Sequence, residues 1–295
     1  MFQVFREYCR TYSLPAIRSF FSAFQTLVFP YRCLKCFCYI DHDQVKPLSL
    51  SICFCAACNP FGPSRFEPPY CPRCGFVFDR DSLSGNGNDL KNVENHLCEN
   101  CLTSPFPVNR VRAAFQYEGI IKEAIPLFKY QSKISLARVL EKFMFEAFDS
   151  HFSFSDIDWI LPIPLHPKKM RQRGFNQSYL LVRNFKKKYK QAHGKTPSWQ
   201  INTNILKRTK ATSPQTGFDI KQRKANLKNA FAIRAISNKT RAKKSETKKK
   251  GTNIIGTNIL LVDDVFTTGA TCNEAARLLL KNGAKQVDVL VLARA

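Results

Sequence analysis

The run Ile259 to Thr271, Ile-Leu-Leu-Val-Asp-Asp-Val-Phe-Thr-Thr-Gly-Ala-Thr, constrains the fold more than any other stretch of the chain. Four consecutive apolar residues bounded by a turn fit a strand buried on both faces of a parallel sheet, because such a strand has no solvent side for polar residues. Asp263 and Asp264 then fall at its carboxyl end, the edge where open α/β sheets hold ligands. The turn Thr267-Thr268-Gly269-Ala270-Thr271 leads into a helical pattern from Cys272 to Leu280. Unpaired N–H groups at a helix N-terminus, the positive end of the macrodipole, a glycine for close approach and three hydroxyl donors together suit a phosphate. The two carboxylates suit adjacent hydroxyl groups, which donate to them, and the combination points to a ribose carrying a phosphate.

These residues resemble the signature of type I phosphoribosyltransferases: apolar residues, two acids, then a Thr/Gly-rich loop. In that family the acids hold the ribose hydroxyls and the loop holds the 5-phosphate of phosphoribosyl pyrophosphate (PRPP). The resemblance implies a ligand-binding run of Asp263, Asp264, Val265, Phe266, Thr267, Thr268, Gly269, Ala270 and Thr271.

Upstream, Val111 to Tyr117 reads as a strand, Ile120 to Phe128 as a helix, Leu136 to Phe148 as a longer amphipathic helix, and Trp159 to Pro164 as a second buried strand. Strands alternating with helices imply a parallel α/β sheet. Just past the second strand comes His166-Pro-Lys-Lys-Met-Arg-Gln-Arg-Gly-Phe-Asn-Gln-Ser178. Arg171 and Arg173 around Gly174, with Asn176 and Gln177 at a helix start, make a second anion site. PRPP carries anions at both ends and needs two such sites.

The 12 cysteines would fit a secreted disulfide scaffold, but eight of them form four Cys-x-x-Cys pairs, a spacing that suits metal ligation in a reducing compartment. The pairs are Cys33 with Cys36, Cys55 with Cys58, Cys71 with Cys74, and Cys98 with Cys101. Each offers two thiolates to a tetrahedral Zn²⁺, so consecutive pairs build two closed structural sites, a double zinc ribbon. Cys38 and Cys53 lie close enough in sequence to compete as ligands of the first site. Few aliphatic residues and many Pro, Gly and Asn mean that metal supplies much of this region's folding free energy, as a module separate from the α/β domain. Ser82 to Asp89 reads as a loop within the second ribbon. Before the cysteines, Leu14, Ile17, Phe20, Phe21, Phe24, Leu27 and Val28 recur at helical spacing. That helix packs on the cysteine module or the main core, or docks on a membrane surface or partner. Arg18 alone on its polar side speaks against lipid.

With Pro162-x-Pro-Leu-His-Pro167 and Arg173-Gly-Phe-Asn-Gln-Ser178 in place, the resemblance narrows to the ComF (GntX-like) family of competence and DNA-uptake proteins. It extends over nearly the whole chain through Tyr117-Glu118-Gly119, Lys129-Tyr130, Gln215 to Arg223, Asn226 to Phe231 and Gly283 to Val289. It implies an α/β fold, a type I phosphoribosyltransferase-like parallel sheet with helices on both faces, preceded by a small double zinc-ribbon module. The expected boundaries are residues 1–30 for the N-terminal helix, 31–104 for the ribbons and 110–295 for the α/β domain. The resemblance adds Lys129 and Tyr130 to the ligand contacts, Mg²⁺ with PRPP as cofactor, and a competence helicase and uptake proteins as partners.

One departure from the family pattern is a lysine-rich insertion at about 234–257, with Lys243 to Lys250 read as a solvated loop. From Lys168 to Lys250 there are 25 Lys+Arg against only Asp219 and Glu246, so nearly all of the net charge of +24 sits there. Such a field attracts nucleic-acid phosphates, and Tyr179, Phe185, Tyr189 and Trp199 are expected as stacking surfaces for single-stranded DNA. Lysines that only raise solubility are the alternative. No stretch is apolar enough to span a bilayer and no signal-peptide order is present, so the expected place is the cytoplasm, including its periphery near the uptake machinery.

Two classes of function remain open from sequence. As an enzyme, Asp263, Asp264, Arg171 and Arg173 would serve pentosyl transfer to an acceptor that the sequence does not specify, within DNA uptake or within nucleotide and purine metabolism. As a binding module, the same pocket would be a sensor and the basic surface would handle single-stranded DNA.

Overall fold

The structure is a computed structural model that describes residues 30–41, 48–78, 95–103, 106–130, 135–152, 157–211, 227–234 and 254–295. The helix expected over Leu14 to Val28, the loop Ser82 to Asp89, the Gln215 to Arg223 motif and the Lys243 to Lys250 run lie outside the described residues. The chain divides into two units, Met1–Gly62 and Pro63–Ala295.

The larger unit is built on a five-stranded, all-parallel sheet with the order β1-β7-β6-β2-β3. Its strands are β1 (Val111–Gln116), β2 (Trp159–Pro162), β3 (Gln200–Ile201), β6 (Asn258–Phe266) and β7 (Gln286–Arg294). A separate antiparallel pair joins β4 (Leu206–Arg208) and β5 (Phe231–Ile233). The described helices are α1 (Glu99–Thr103), α2 (Gly119–Tyr130), α3 (Ser135–His151), α4 (Pro167–Arg173), α5 (Gln177–Leu180), α6 (Phe185–His193) and α7 (Ala270–Lys281).

The middle of β7, Val287 to Ala293, is buried throughout, as a strand covered on both faces must be. On one face, Ala275, Ala276 and Leu279 of α7 pack into a core with Leu161, Leu261, Val289 and Val291. The other face is covered by α3 and an aromatic cluster. Phe143 meets Phe115 edge-on at 5.0 Å, and Phe148 meets Phe185 at 5.3 Å and Trp199 at 5.6 Å. This cluster corrects one expectation. Phe185, Tyr189 and Trp199 are 0%, 3% and 0% exposed and cannot stack on nucleic acid, because they seal α6 and the β3 edge onto α3. Of the four rings, Tyr179 is on the surface at 39%.

The sheet also explains where a crevice opens. Pairing between β2 and β6 stops at Pro162 opposite Val262, whereas β7 accompanies β6 as far as Phe266 opposite Arg294. Ile163 N–H still donates to Val262 O at 2.8 Å, and the chain then leaves the sheet, so β6 loses its β2 neighbour just before the two acids. The acids therefore sit inside β6 rather than beyond it, a strand longer than the apolar run predicted.

The second cysteine cluster belongs to this unit, which differs from the separate module predicted. Val111 N–H donates to Arg73 O at 2.7 Å, Phe66 N–H to Ala114 O at 3.3 Å, and Arg294 Nε to Cys74 O at 3.0 Å. These bonds tie the ribbon to β1 and to the end of β7.

Candidate phosphoribosyl site and thiol clusters

Asp263 and Asp264 are 8% and 4% exposed at the carboxyl end of β6. Ser178 Oγ donates to Asp263 Oδ1 at 3.0 Å, and the Asp264 N–H donates to the same oxygen at 2.9 Å. Burial, and then the neighbouring Asp264 carboxylate, push the Asp263 pKa up to about 7, against the opposing pull of Lys129. Lys129, in the last turn of α2, reaches Asp264 Oδ1 with its Nζ at 2.8 Å. Burial works against the Lys129 ammonium, yet Asp264 outweighs it and the lysine pKa is raised. The other carboxylate oxygen, Asp264 Oδ2, is buried without a hydrogen-bond partner among the described residues. A carboxyl oxygen left dry and unpaired is costly, and a ligand hydroxyl or a hydrated cation would satisfy it. The donor chemistry thus fits a ribose with its Mg²⁺.

The loop beyond β6 turns at Gly269, whose φ of 71° is left-handed and favours glycine. A Cβ there would run into the Phe266 ring, with Cε1 at 2.9 Å, and would lie 3.0 Å from Asn273 Nδ2. Gly269 is the N-cap of α7, and no side chain caps that end, so the first N–H groups of a 12-residue helix face the loop unclaimed by a capping side chain. Thr267 is exposed and Thr268 and Thr271 are half-buried around this end, while Ala270 is buried. Arg294 Nη1 donates to Phe266 O at 3.2 Å and Thr267 O at 3.3 Å, which steadies the loop from β7.

The opposite wall comes from α4 and α5. His166 caps α4, Pro167 starts it, and Gly174 ends it at a φ of 78°. Asn176 then caps α5, accepting from Ser178 N–H at 2.9 Å and Tyr179 N–H at 3.3 Å, while its Nδ2 donates to Ile163 O at 3.0 Å. That bond anchors the loop to the end of β2 and delivers Ser178 to Asp263. Arg173 donates to the buried Gln177 Oε1 at 2.6 Å and lies over the exposed Tyr130 ring at 5.0 Å.

Arg171 is not brought to this wall: it is exposed, two residues from Arg173 and so on another side of the helix. Lys169, four residues from Arg173, shares its face instead. The Lys169 pKa is lowered by burial and then by the neighbouring positive charges of Arg208, Arg173 and Lys129. Arg208 reaches in from β4, lying over the Phe231 ring at 5.5 Å, its pKa lowered by burial and partly restored by Asp263. The sequence motifs missed Lys169, Arg208 and Ser178. An i, i+4 reading of α4 would have found the first, but the approach of Arg208 to Asp263 has no local signal.

Two thiol clusters can each hold one metal ion. In the second, the Sγ atoms of Cys71, Cys74, Cys98 and Cys101 all lie within 4.8 Å of one another, with Cys74 and Cys98 at 3.4 Å. A tetrahedral Zn²⁺ with Zn–S of about 2.3 Å separates its sulfurs by about 3.8 Å, so this set fits zinc. In the first cluster the four mutually close thiols are Cys33, Cys36, Cys38 and Cys55, with Cys36 at 3.3 Å from Cys38 and 3.6 Å from Cys55. Cys58, expected as a ligand from its spacing, is not among these four, although it contacts Cys33, Cys36 and Cys55. Cys53, the other predicted competitor, is buried beside Cys33, and burial pushes its thiol up to about 12.

This fold and site define a phosphoribosyltransferase-type domain, and the family model for the phosphoribosyl transferase domain matches residues 212–295. Over 234 residues, 77% of this chain and 85% of the relative, the sequence is 29% identical to Competence protein F of Haemophilus influenzae. It is 28% identical over 244 residues to DNA utilization protein YhgH of Escherichia coli, covering 81% of this chain and 89% of that one. It is 26% identical over 227 residues to Competence protein ComFC of Streptococcus pneumoniae, covering 76% and 87%. The chain thus carries a phosphoribosyl transferase domain and is similar over most of its length to proteins named for competence and DNA utilization.

Proposed function

We propose that this chain binds Mg²⁺-PRPP and acts as a phosphoribosyltransferase-like protein in DNA uptake. The observation that carries the reading is the buried, unpartnered Asp264 Oδ2 beside a glycine turn and a helix N-terminus without a side-chain cap. Ribose hydroxyls would donate to Asp263 and Asp264, the α7 N-terminus with Thr267, Thr268 and Thr271 would hold the 5-phosphate, and Lys169, Arg173 and Arg208 would face the pyrophosphate. In transfer, the acids stabilise positive charge developing at the anomeric carbon, and the cationic wall stabilises the departing pyrophosphate. Both are electrostatic and positioning contributions that require no covalent protein intermediate. The names of the relatives, which speak of competence and DNA utilization, support the cellular setting. A pyrophosphate-release assay across candidate acceptors tests turnover: release that depends on one acceptor and is lost in Asp264→Asn is expected, and no release with any acceptor assigns the pocket to binding alone.

A second reading, direct handling of single-stranded DNA, is favoured by one feature of α6. Phe185 and Tyr189 anchor the helix, and Lys186, Lys187 and Lys190 are left exposed. If these lysines neutralise DNA phosphates, replacing all three with Gln flattens the dependence of log K on log salt by about two units. An unchanged slope assigns them to solubility, and deleting Lys243 to Lys250 separates the contribution of that run.

A further inference from the structure

The two cysteine clusters are built on the same backbone, and comparing them isolates one surplus thiol. In the second, Cys71 N–H donates to Phe76 O at 2.8 Å and Gly75 N–H to Cys71 O at 2.9 Å. In the first, Cys33 N–H donates to Cys38 O at 2.8 Å and Phe37 N–H to Cys33 O at 2.9 Å. The turn residue has positive φ in both, 65° at Gly75 and 62° at Phe37. A bridge closes each knuckle one residue later, Tyr70 with Val77 and Arg32 with Tyr39. The second halves match as well, with Cys58 N–H to Cys55 O at 3.1 Å and Cys101 N–H to Cys98 O at 2.9 Å. By this repeat Cys58 is the counterpart of Cys101, and Cys38 stands where the second cluster carries Phe76.

Yet Cys38, and not Cys58, completes the set of four mutually close sulfurs. Cys58 still touches Cys33, Cys36 and Cys55, three of those same four. Five thiols therefore surround a site that tetrahedral zinc fills with four. Three are common to both sets, and the fourth position has two claimants at the ends of two different turns.

We infer that the first zinc site is a five-thiol site in which Cys38 and Cys58 are interchangeable fourth ligands, one bound and the other free at any moment. The inference rests on the reading of both clusters as zinc sites. Exchange occurs by one thiolate entering as the other leaves, with no change in oxidation state and a proton passing from the incoming thiol to the outgoing one. The second site has no such reserve, because Phe76 cannot ligate.

The test is zinc content of the full chain by elemental analysis, with the reactive cysteines of the zinc-loaded wild type mapped by brief alkylation and mass spectrometry. Wild type, Cys38→Ser and Cys58→Ser should each hold about two zinc ions, while Cys38→Ser/Cys58→Ser and Cys101→Ser should each hold about one. Alkylation of the wild type should mark Cys38 on some chains and Cys58 on others, and both on one chain only after zinc is lost. Loss of one zinc in Cys58→Ser alone, or in Cys38→Ser alone, would overturn interchange, as would alkylation confined to one of the two. A wild type holding no zinc would overturn the zinc reading itself and the inference with it.

Discussion

Asp263 carries the clearest pH signature among the residues of the site. Its pKa of about 7 lies above the ordinary 3.8, so between those values the native chain holds a proton that the unfolded chain has released. This contribution to stability is therefore present at low pH and is lost as pH rises through about 7. Asp263→Asn keeps an oxygen to accept from Ser178 and from the Asp264 N–H but removes the buried charge. Thermal unfolding should show the variant above wild type by at least about 2 °C at pH 8, with the difference shrinking towards pH 4, while affinity for ribose 5-phosphate falls. Equal melting temperatures across that range would mean that Asp263 is ionised and well solvated. Lys129 gives the complementary case, because Lys129→Met leaves Asp264 buried without its counter-ion. Breaking such a pair costs about 3–5 kcal/mol, and Lys129→Met/Asp264→Asn should recover most of that loss in urea unfolding. A double variant no more stable than Lys129→Met would show that the lysine acts through its packing rather than its charge.

At the scale of elements, the strand-turn-helix around the acids was legible because its rules are local. An apolar run fixes a two-face-buried strand, a glycine fixes the left-handed turn, and helical spacing fixes α7. The four Cys-x-x-Cys pairs were legible for the same reason, since each is a single turn of chain. What the sequence hid depends on registry between distant elements. The end of β2 opposite Val262 opens the crevice, and the packing of α6 on α3 buries Phe185, Tyr189 and Trp199, which composition alone offers as exposed rings. The Cys33 turn likewise carries Cys38 back to its own cluster, which pair spacing does not reveal. The turn itself yields a prediction. Gly269→Ala must adopt a φ of 71° and press its Cβ into the Phe266 ring, which should lower stability by about 1–3 kcal/mol in urea unfolding and weaken binding of ribose 5-phosphate. Wild-type stability in this variant would mean that the turn relaxes and that Gly269 is not conformationally required.

At the scale of the whole molecule, the boundary at Gly62 assigns the two cysteine clusters to different units. Because Arg73 and Cys74 accept hydrogen bonds from Val111 and Arg294, a metal held by the second cluster would support the start of β1 and the end of β7. Cys101→Ser should therefore lower the calorimetric melting temperature of the α/β unit, whereas Cys38→Ser/Cys58→Ser should remove one zinc and leave that transition in place. Equal effects of the two would contradict the division. Among the described residues no helix is long and apolar enough to cross a membrane. The central claim remains that the crevice at the end of β6 is built for a phosphoribosyl group. Calorimetric titration with Mg²⁺-PRPP and with ribose 5-phosphate tests it most directly, using wild type, Asp264→Asn and Gly269→Val. The account predicts that wild type binds both ligands, that Asp264→Asn binds PRPP about tenfold more weakly, and that Gly269→Val binds neither. Wild type that binds neither ligand, or variants that bind as tightly as wild type, would contradict it.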